Sequence, residues 1–519
     1  MCGIFLCFQK DGCIRKERMS KLMYNWKMIE NRGPDRHTLS LFDRTIFGFH
    51  RLAINDTSEK GDQPFEWNGN VLMCNGEIYN YHELCEEEQF PLKSKSDCEI
   101  LIHLFEKYGV DAALQKIDGV FAIIYMTLTS IYLIRDKIGV KPLFYTNTQG
   151  EGLIAASEPI ALEGIYSTET LEVLPSSYMV YDKETETFTS TKYHQPLYLS
   201  LNIEEEQAIV RVNTLLTYAV QKRMISDRPI GCLLSGGLDS SVIAAILQRE
   251  SKTPIKTFSV GFPDSTDIVY ARKVAAYIGS DHHEYIIQYQ DALKYIPTVI
   301  KRLATYDTTT IRASTPMFML CEWINKNFKE KVIFSGEGSD EIFCGYLYSH
   351  HAPTSQHLVE DSIRLVNQLY QYDVLRADRC TAENGLEFRE PFLDQSLVYF
   401  ALSLPGALKE PKEFEKDLLR KAFNGYLPDD VLWRRKAAFS DAVSSSIKPW
   451  YKWIHEYLNH YSFDIQSYGG TKESNYYKTI FYSIYSNYQP TIPLWLPQWI
   501  DTGAEPSATA LPSYQASEH

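Results

Sequence analysis

Cysteine stands second in the chain, in Met1-Cys2-Gly3-Ile4-Phe5, and that position opens a particular chemistry to an ordinary thiol. Once Met1 is trimmed, one residue carries both a thiol and a free α-amino group. A thiol attacks poorly until a base takes its proton, and an α-amine with a pKa of roughly 7.7–8.0 is substantially neutral near pH 7. Cys2 would then hold its own general base. For this dipeptide alone an accidental Cys is as good a reading, because a small second residue also permits Met removal. The rest of the chain has to decide.

Two loops in the second half look built for a nucleotide. Ser235-Gly236-Gly237-Leu238-Asp239-Ser240-Ser241 follows an apolar run and opens a helical pattern. Its glycines allow a tight turn that aims N–H groups at an anion, and the helix N-terminus adds favourable partial charge, so pyrophosphate is a natural ligand. It is not a Walker A loop, since the Gly-Lys-Ser/Thr ending is missing. Ser335-Gly336-Glu337-Gly338-Ser339-Asp340-Glu341 follows another apolar run. Three acids among glycines suit magnesium coordination and alignment of an electrophile better than a solvated turn. Glu341 alone reads as a helix-start charge.

Three islands stand out in the first half: Arg32-Gly33-Pro34-Asp35, Arg51-Leu52-Ala53-Ile54 and Asn75-Gly76-Glu77-Ile78-Tyr79-Asn80. A side-chain amide beside a Gly N–H can form an oxyanion hole, while Arg and Asp or Glu can clamp a zwitterionic amino acid at its two ends. Asn-Gly in isolation reads more readily as a type I′ hairpin turn, and Asp97 equally as a helix N-terminal residue.

The elements that must position these residues change character along the chain. Short β-rich runs at 45–49, 71–74, 122–126, 130–134 and 143–146, with helical patterns at 16–30 and 99–107, predict an α+β unit of mostly antiparallel strands. From about 168 to 200 the chain is rich in Thr, Ser and Glu with poor periodicity, and an amphipathic helix follows over 204–224; the boundary falls there. Beyond Ile230, apolar runs at 230–234, 255–260 and 332–334 alternate with helices at 242–248 and 268–278, which predicts a parallel sheet flanked by helices. Residues 501–519, rich in Ala, Ser, Thr and Pro, read as a poorly ordered tail.

At 519 residues two or three separate cores are expected, so one chain can hold more than one site. A net charge of −14 argues against nucleic-acid binding, which needs clustered Lys and Arg. No apolar run approaches the roughly 20 residues of a membrane span, and Gln9, Lys10 and Asp11 interrupt any signal-peptide core, so the expected location is cytoplasmic. Ten Cys without CxxC spacing indicate neither a disulfide framework nor structural zinc, and Cys74 and Cys232 read as buried thiols.

Taken together, these residues resemble the glutamine-dependent asparagine synthetases of the B type over nearly the whole chain. Cys2-Gly3-Ile4 and Asn75-Gly76-Glu77 resemble class II glutamine amidotransferases, and the loop 235–241 resembles the pyrophosphatase-type loop of ATP-adenylating enzymes. Gly385-Leu386-Glu387, Pro391-Phe392-Leu393-Asp394 and the run from Trp433 to Asp441 extend the match. The implied fold is an αββα amidotransferase unit over 2–190 and an α/β parallel-sheet synthetase unit with a helical C-terminal part over 204–500.

The resemblance implies that Cys2 attacks the glutamine side-chain amide, that Asn75 and Gly76 stabilise the oxyanion, and that Arg51, Leu52, Ala53, Ile54, Asn55, Glu77 and Asp97 help hold the glutamine. It implies ATP against Leu233, Val260, Ser335 and Gly336, with pyrophosphate on Ser235, Gly236, Gly237, Asp239 and Ser240 and with Lys436 offsetting phosphate charge. Asp239 and Asp340 would bind Mg2+, and Glu337 would serve the β-aspartyl-AMP step. Arg389 is a weaker candidate for contacting aspartate. The implied partners are the small molecules glutamine, aspartate, ATP and ammonia, with a homodimer as the family expectation.

Three positions depart from the family pattern: Asn31 where a His is usual, Glu390 where a small apolar residue is usual, and Ala442 where a Gly is usual. A carboxylate at Glu390 could pair with Arg389 and weaken its contact with substrate. Other amidotransferases and a β-lactam synthetase-like enzyme each share only half of the pattern. A catalytically impaired regulatory homologue remains the alternative from another class.

Overall fold

The computed structural model describes residues 1–12, 16–435, 443–444, 448–460 and 464–500. Lys436, Ala442 and the tail 501–519 lie outside them. The first strand, β1 (Gly3–Gln9), sets the pattern of the N-terminal half by alternation. Ile4, Leu6 and Phe8 face a core shared with a second sheet, while Phe5 and Cys7 pack against Leu22 and Trp26 of the helix Lys16–Lys27.

Further strands follow as β2 (Arg36–Phe42), β3 (Thr45–Arg51), β4 (Phe65–Trp67), β5 (Asn70–Ile78), β6 (Gly119–Met126), β7 (Ser130–Arg135), β8 (Phe144–Thr148) and β9 (Gly152–Ala156). Three more are β10 (Leu171–Glu172), β11 (Ser177–Asp182) and β12 (Phe188–Lys192). They form two six-stranded antiparallel sheets, ordered β10-β8-β9-β1-β3-β2 and β12-β11-β7-β6-β5-β4. The helices Ile100–Tyr108 and Val110–Lys116 cover the outer face of the second sheet. This is the α+β layering expected from the sequence.

The stretch 168–200 is more regular than its composition indicates, because it holds β10, β11 and β12. β11 pairs with β7, and β12 is an edge strand with mostly exposed side chains. An edge strand needs no apolar alternation, so the pattern that marks buried strands is missing.

The C-terminal half contains β13 (Ile230–Leu233), β14 (Lys256–Gly261), β15 (Asp281–Ile286), β16 (Val332–Phe334) and β17 (Glu387–Arg389), all parallel in the order β15-β14-β13-β16-β17. Near-continuous burial along β14 and β16 fits a sheet covered on both faces. The helix Glu205–Lys222 begins with a reciprocal capping box between Glu204 and Gln207. No helix among the described residues is long and apolar enough to cross a membrane.

Many contacts join the halves, among them the ion pairs of Asp378 with Arg32 and Lys141, and two places bear on the sites. The side chains of Leu52 and Ile54, just after β3, pack into the apolar cluster of the C-terminal half. At the sheet edge, β17 turns Glu387 and Arg389 toward the N-terminal half.

Candidate active sites

β1 brings Cys2 beside the middle of β5. The Cys2 N–H donates to Asn75 Oδ1 at 2.9 Å, and the thiol lies 3.8 Å from the Leu52 carbonyl. Asn75 is fully buried, and its Nδ2 has no hydrogen-bond partner among the described residues. A buried amide donor left over is costly unless something bound accepts from it. Asn75 and Gly76 therefore do not form a hairpin turn; they sit inside β5, opposite Ala122 and Phe121 of β6.

Met1 precedes Cys2 in this structure, with its amine buried 3.7 Å from Glu387 Oε2. Burial pushes the Cys2 thiol up to about 11, so in this form it is a neutral thiol. Arg32 fixes the Cys2 carbonyl at 3.1 Å, and the same guanidinium is held by Glu158 at 2.5 Å and Asp378 at 3.1 Å.

The expected glutamine-holding residues cluster beside Cys2. Asn55 Nδ2 donates to Glu77 at 2.7 Å and lies 3.4 Å from Asp97, whose other oxygen accepts from the Ile78 N–H at 2.8 Å. Asp97 thus braces β5 and does not cap a helix. Burial pushes both acids up, and for Glu77 the neighbouring Asp97 charge adds to it. Two buried acids in mutual conflict are stabilised by an incoming cation, as an amino acid's ammonium would be.

Arg51 is placed differently from a free clamp. It reaches the carbonyls of Ser58 (2.6 Å), Asn55 (3.4 Å) and Asp56 and the Asp62 carboxylate (2.6 Å), so it holds the 55–62 loop. Ala53 is anchored by its N–H to Asp35 at 2.9 Å, and the Ile54 carbonyl accepts from Asp227. The Leu52 and Ile54 side chains point to the other half, so near Cys2 these two act through their backbone.

The second site is a cavity of about 250 Å³ at the C-terminal ends of β13, β14 and β16. Ligands in open α/β sheets bind at this end. Leu233, Ser235, Gly237, Asp239, Ser240, Val260, Ser335, Gly336, Glu337, Asp340 and Glu341 all line it. Gly236 lies just behind the lining in a left-handed conformation (φ 75°), where a Cβ would sit 2.4 Å from the Ala271 nitrogen. Ser235 and Ser240 tie the loop together through their hydroxyls at 2.9 Å, and Gly237 precedes the helix Leu238–Glu250.

Residues without a motif complete this site. Lys416, itself left-handed (φ 58°), extends its ammonium between Asp239 (2.6 Å) and Asp340 (2.5 Å). Arg376 pairs with Glu337 and Asp373, both at 2.7 Å. Arg434 and Arg435 also line the cavity. Nothing in the local sequence sets Lys416 or Arg376 apart; only the fold brings them to the loops.

Asp239 and Asp340 converge on one ammonium, so a divalent cation fits the same point. No cluster of three or more His, Cys, Asp or Glu among the described residues forms a closed cage. Two carboxylates with substrate phosphates are the usual arrangement for magnesium, and the pair fits that.

Arg389 does not reach this cavity. Its guanidinium holds Glu387 at 2.7 Å, Glu77 at 3.2 Å and the Ile225 carbonyl at 2.6 Å. Nor does Glu390 pair with it: successive residues after a strand point apart, and Arg389 is already filled by two other acids.

The geometry defines a two-site protein, with an amidotransferase-like thiol centre in one half and a nucleotide-type cavity in the other. The profile of the glutamine amidotransferase domain matches residues 1–196, and that of asparagine synthase matches 211–369 and 353–489. The asparagine synthetase [glutamine-hydrolyzing] of Bos taurus is 37% identical over 570 residues, covering 100% of both chains. The protein of that name from Homo sapiens is 37% identical over 568 residues, again covering 100% of both. Among solved structures, a glutamine phosphoribosylpyrophosphate amidotransferase from B. subtilis covers 57% of this chain and 92% of its own at 14% identity and TM-score 0.34. The chain belongs to the family of glutamine-hydrolysing asparagine synthetases.

Proposed function

We propose that the chain makes L-asparagine from L-aspartate, with ammonia from glutamine hydrolysis and activation by ATP. Residues 2–190 form the glutaminase unit and residues 204–500 the synthetase unit. After loss of Met1, the Cys2 amine accepts the thiol proton, and the sulfur attacks the glutamine side-chain carbonyl. The Asn75 amide and the Gly76 N–H stabilise the oxyanion. Glu77, Asp97 and Asn55 hold the α-ammonium end. Arg51 holds in place the 55–62 loop that presents Asn55, and Leu52, Ala53 and Ile54 shape the wall through their backbone. Ammonia leaves, and water releases glutamate from the thioester.

In the cavity, ATP lies against Leu233, Val260, Ser335 and Gly336 with its phosphates on the 235–240 loop. The aspartate side-chain carboxylate attacks the α-phosphorus, giving β-aspartyl-AMP and pyrophosphate. Lys416 and Lys436 offset the phosphate charge. Asp239 and Asp340 would hold magnesium, which neutralises the polyphosphate when bound. Ammonia then attacks the acyl carbon, Glu337 accepts its proton, and AMP departs with the acyl C–O bond broken.

One observation carries this reading: Cys2 hydrogen-bonds Asn75, whose buried amide nitrogen has no acceptor among the described residues. A cytoplasmic homodimer is part of the proposal. Incubation of the purified protein with aspartate, glutamine and ATP should yield asparagine, glutamate, AMP and pyrophosphate. Release of ADP and phosphate, or no asparagine, would sink it.

A further inference from the structure

Glu390 is fully buried, and neither of its carboxylate oxygens has a hydrogen-bond partner among the described residues. A buried carboxylate in that state is costly, so it should acquire a proton or a cation. Lys141 and Arg223, the cations whose charge acts on it, are each matched to another acid, as are the basic residues further along this junction. Lys141 lies 3.5 Å from Asp378, Arg223 2.8 Å from Asp394, and Lys222 reaches both Asp394 and Asp118. Arg389 holds Glu387 and Glu77, and Arg32 holds Glu158 and Asp378.

The other nearby acid, Asp136, is satisfied by backbone N–H groups of Phe121, Ile138, Gly139, Val140 and Lys141 at 2.7–3.3 Å. Glu390 alone in this group has no ion pair and accepts no hydrogen bond among the described residues, although the Lys141 and Arg223 charges act on it from further away. Tyr79 Oη and Arg223 Nε are also buried without hydrogen-bond partners among the described residues, and the Arg223 guanidinium lies 4.4 Å from the Tyr79 ring centroid. The Glu390 charge acts on both, so three side chains of one region carry hydrogen-bonding capacity that no described residue uses.

Its place in the chain gives this a meaning. Glu390 follows β17, where Glu387 lies near the Met1 amine and Arg389 touches Glu77 of the glutamine site. The Arg389 carbonyl accepts from the Ser335 N–H at 3.1 Å, at the start of the loop that carries Glu337 into the nucleotide cavity. The residue sits on the short strand exit that connects one site to the other.

We propose that Glu390 binds ammonium at the junction of the two sites, holding the cation formed when ammonia in transit takes up a proton. This rests on the proposed function, which makes ammonia in one half and consumes it in the other. Ammonium offers four N–H donors, and the two Glu390 oxygens are acceptors with no hydrogen bond among the described residues. Return of one proton to the Glu390 carboxylate leaves neutral ammonia and a carboxylic acid, so charge and protons balance. Burial pushes Glu390 up to about 7, which makes it a better acceptor for that proton than an ordinary carboxylate.

The test uses thallium(I), a monovalent stand-in for ammonium, soaked as its acetate into crystals of the full chain. An anomalous peak at the Glu390 carboxylate is expected in the natural protein and none in Glu390→Gln. In parallel, asparagine formed per glutamate released is measured from glutamine, and it should fall several-fold in Glu390→Gln and in Glu390→Leu. The second variant keeps this arm usable if the first fails to fold. No thallium at Glu390, a peak that survives the Gln substitution, or an unchanged ratio in both variants would overturn the proposal. A natural protein that makes no asparagine from either nitrogen source would refute the proposed function instead, and the thallium result would still decide on Glu390.

Discussion

Arg389 Nη2 lies 3.2 Å from Glu77 Oε1, an ion pair between the edge strand of the parallel sheet and the strand that carries Asn75. Both side chains are nine-tenths or more buried, and the same guanidinium holds Glu387. Removing one member of such a group leaves uncompensated charge inside the protein. Arg389→Leu should cost about 3–5 kcal/mol in denaturant unfolding and raise the KM for glutamine. A loss confined to aspartate binding would contradict this placement.

Asn75→Ala removes the side-chain donor beside Cys2. Glutamine hydrolysis should fall about 10²–10³-fold in kcat, the usual cost of one oxyanion donor. Synthesis driven by added ammonium should persist. Steady-state rates with the two nitrogen sources separate these outcomes.

Lys416→Met leaves Asp239 and Asp340 facing each other without the ammonium between them. Aspartate-dependent exchange of pyrophosphate into ATP should be largely lost, while glutamate release from glutamine continues. Full retention of exchange would show that Lys416 has no part in activation.

Glu473 links the helix Lys472–Ile484 to Arg312 of the helix Thr308–Asn327, which also supplies Thr309, Thr310 and Met317 to the cavity wall. Despite burial, the Arg312 charge and hydrogen bonds from Arg312, His455 and Tyr477 bring its carboxyl down to about 2 from an ordinary 4.5. A carboxyl lowered by folding contributes stability above its unfolded pKa, and that contribution disappears as pH falls from 4.5 to about 2. The shift corresponds to about 3 kcal/mol. Glu473→Gln should therefore be less stable than the natural protein at pH 7, with the gap closing below pH 4 in chemical unfolding. An equal gap at pH 7 and pH 3 would contradict the assignment.

Much of this was legible in the sequence where a residue type and its local run do the same work. The loop Ser235–Ser241 needs its glycines in place, and Val332–Phe334 is a strand with the bounds its apolar run indicates. Asn75-Gly76 misleads as a dipeptide because pairing with β6 overrides its turn preference. Arg389 follows a recognisable motif, yet strand alternation turns it to the other half. Lys416 and Arg376 carry no local signal, since their roles depend on contacts 177 and 39 residues away along the chain.

In the proposed reaction Cys2 supplies ammonia and takes no part in activating aspartate. The most direct test is asparagine synthesis by Cys2→Ala with glutamine and, separately, with ammonium as the nitrogen source. Synthesis should vanish with glutamine and remain near the natural rate with ammonium. Equal loss with both sources would contradict the two-site account.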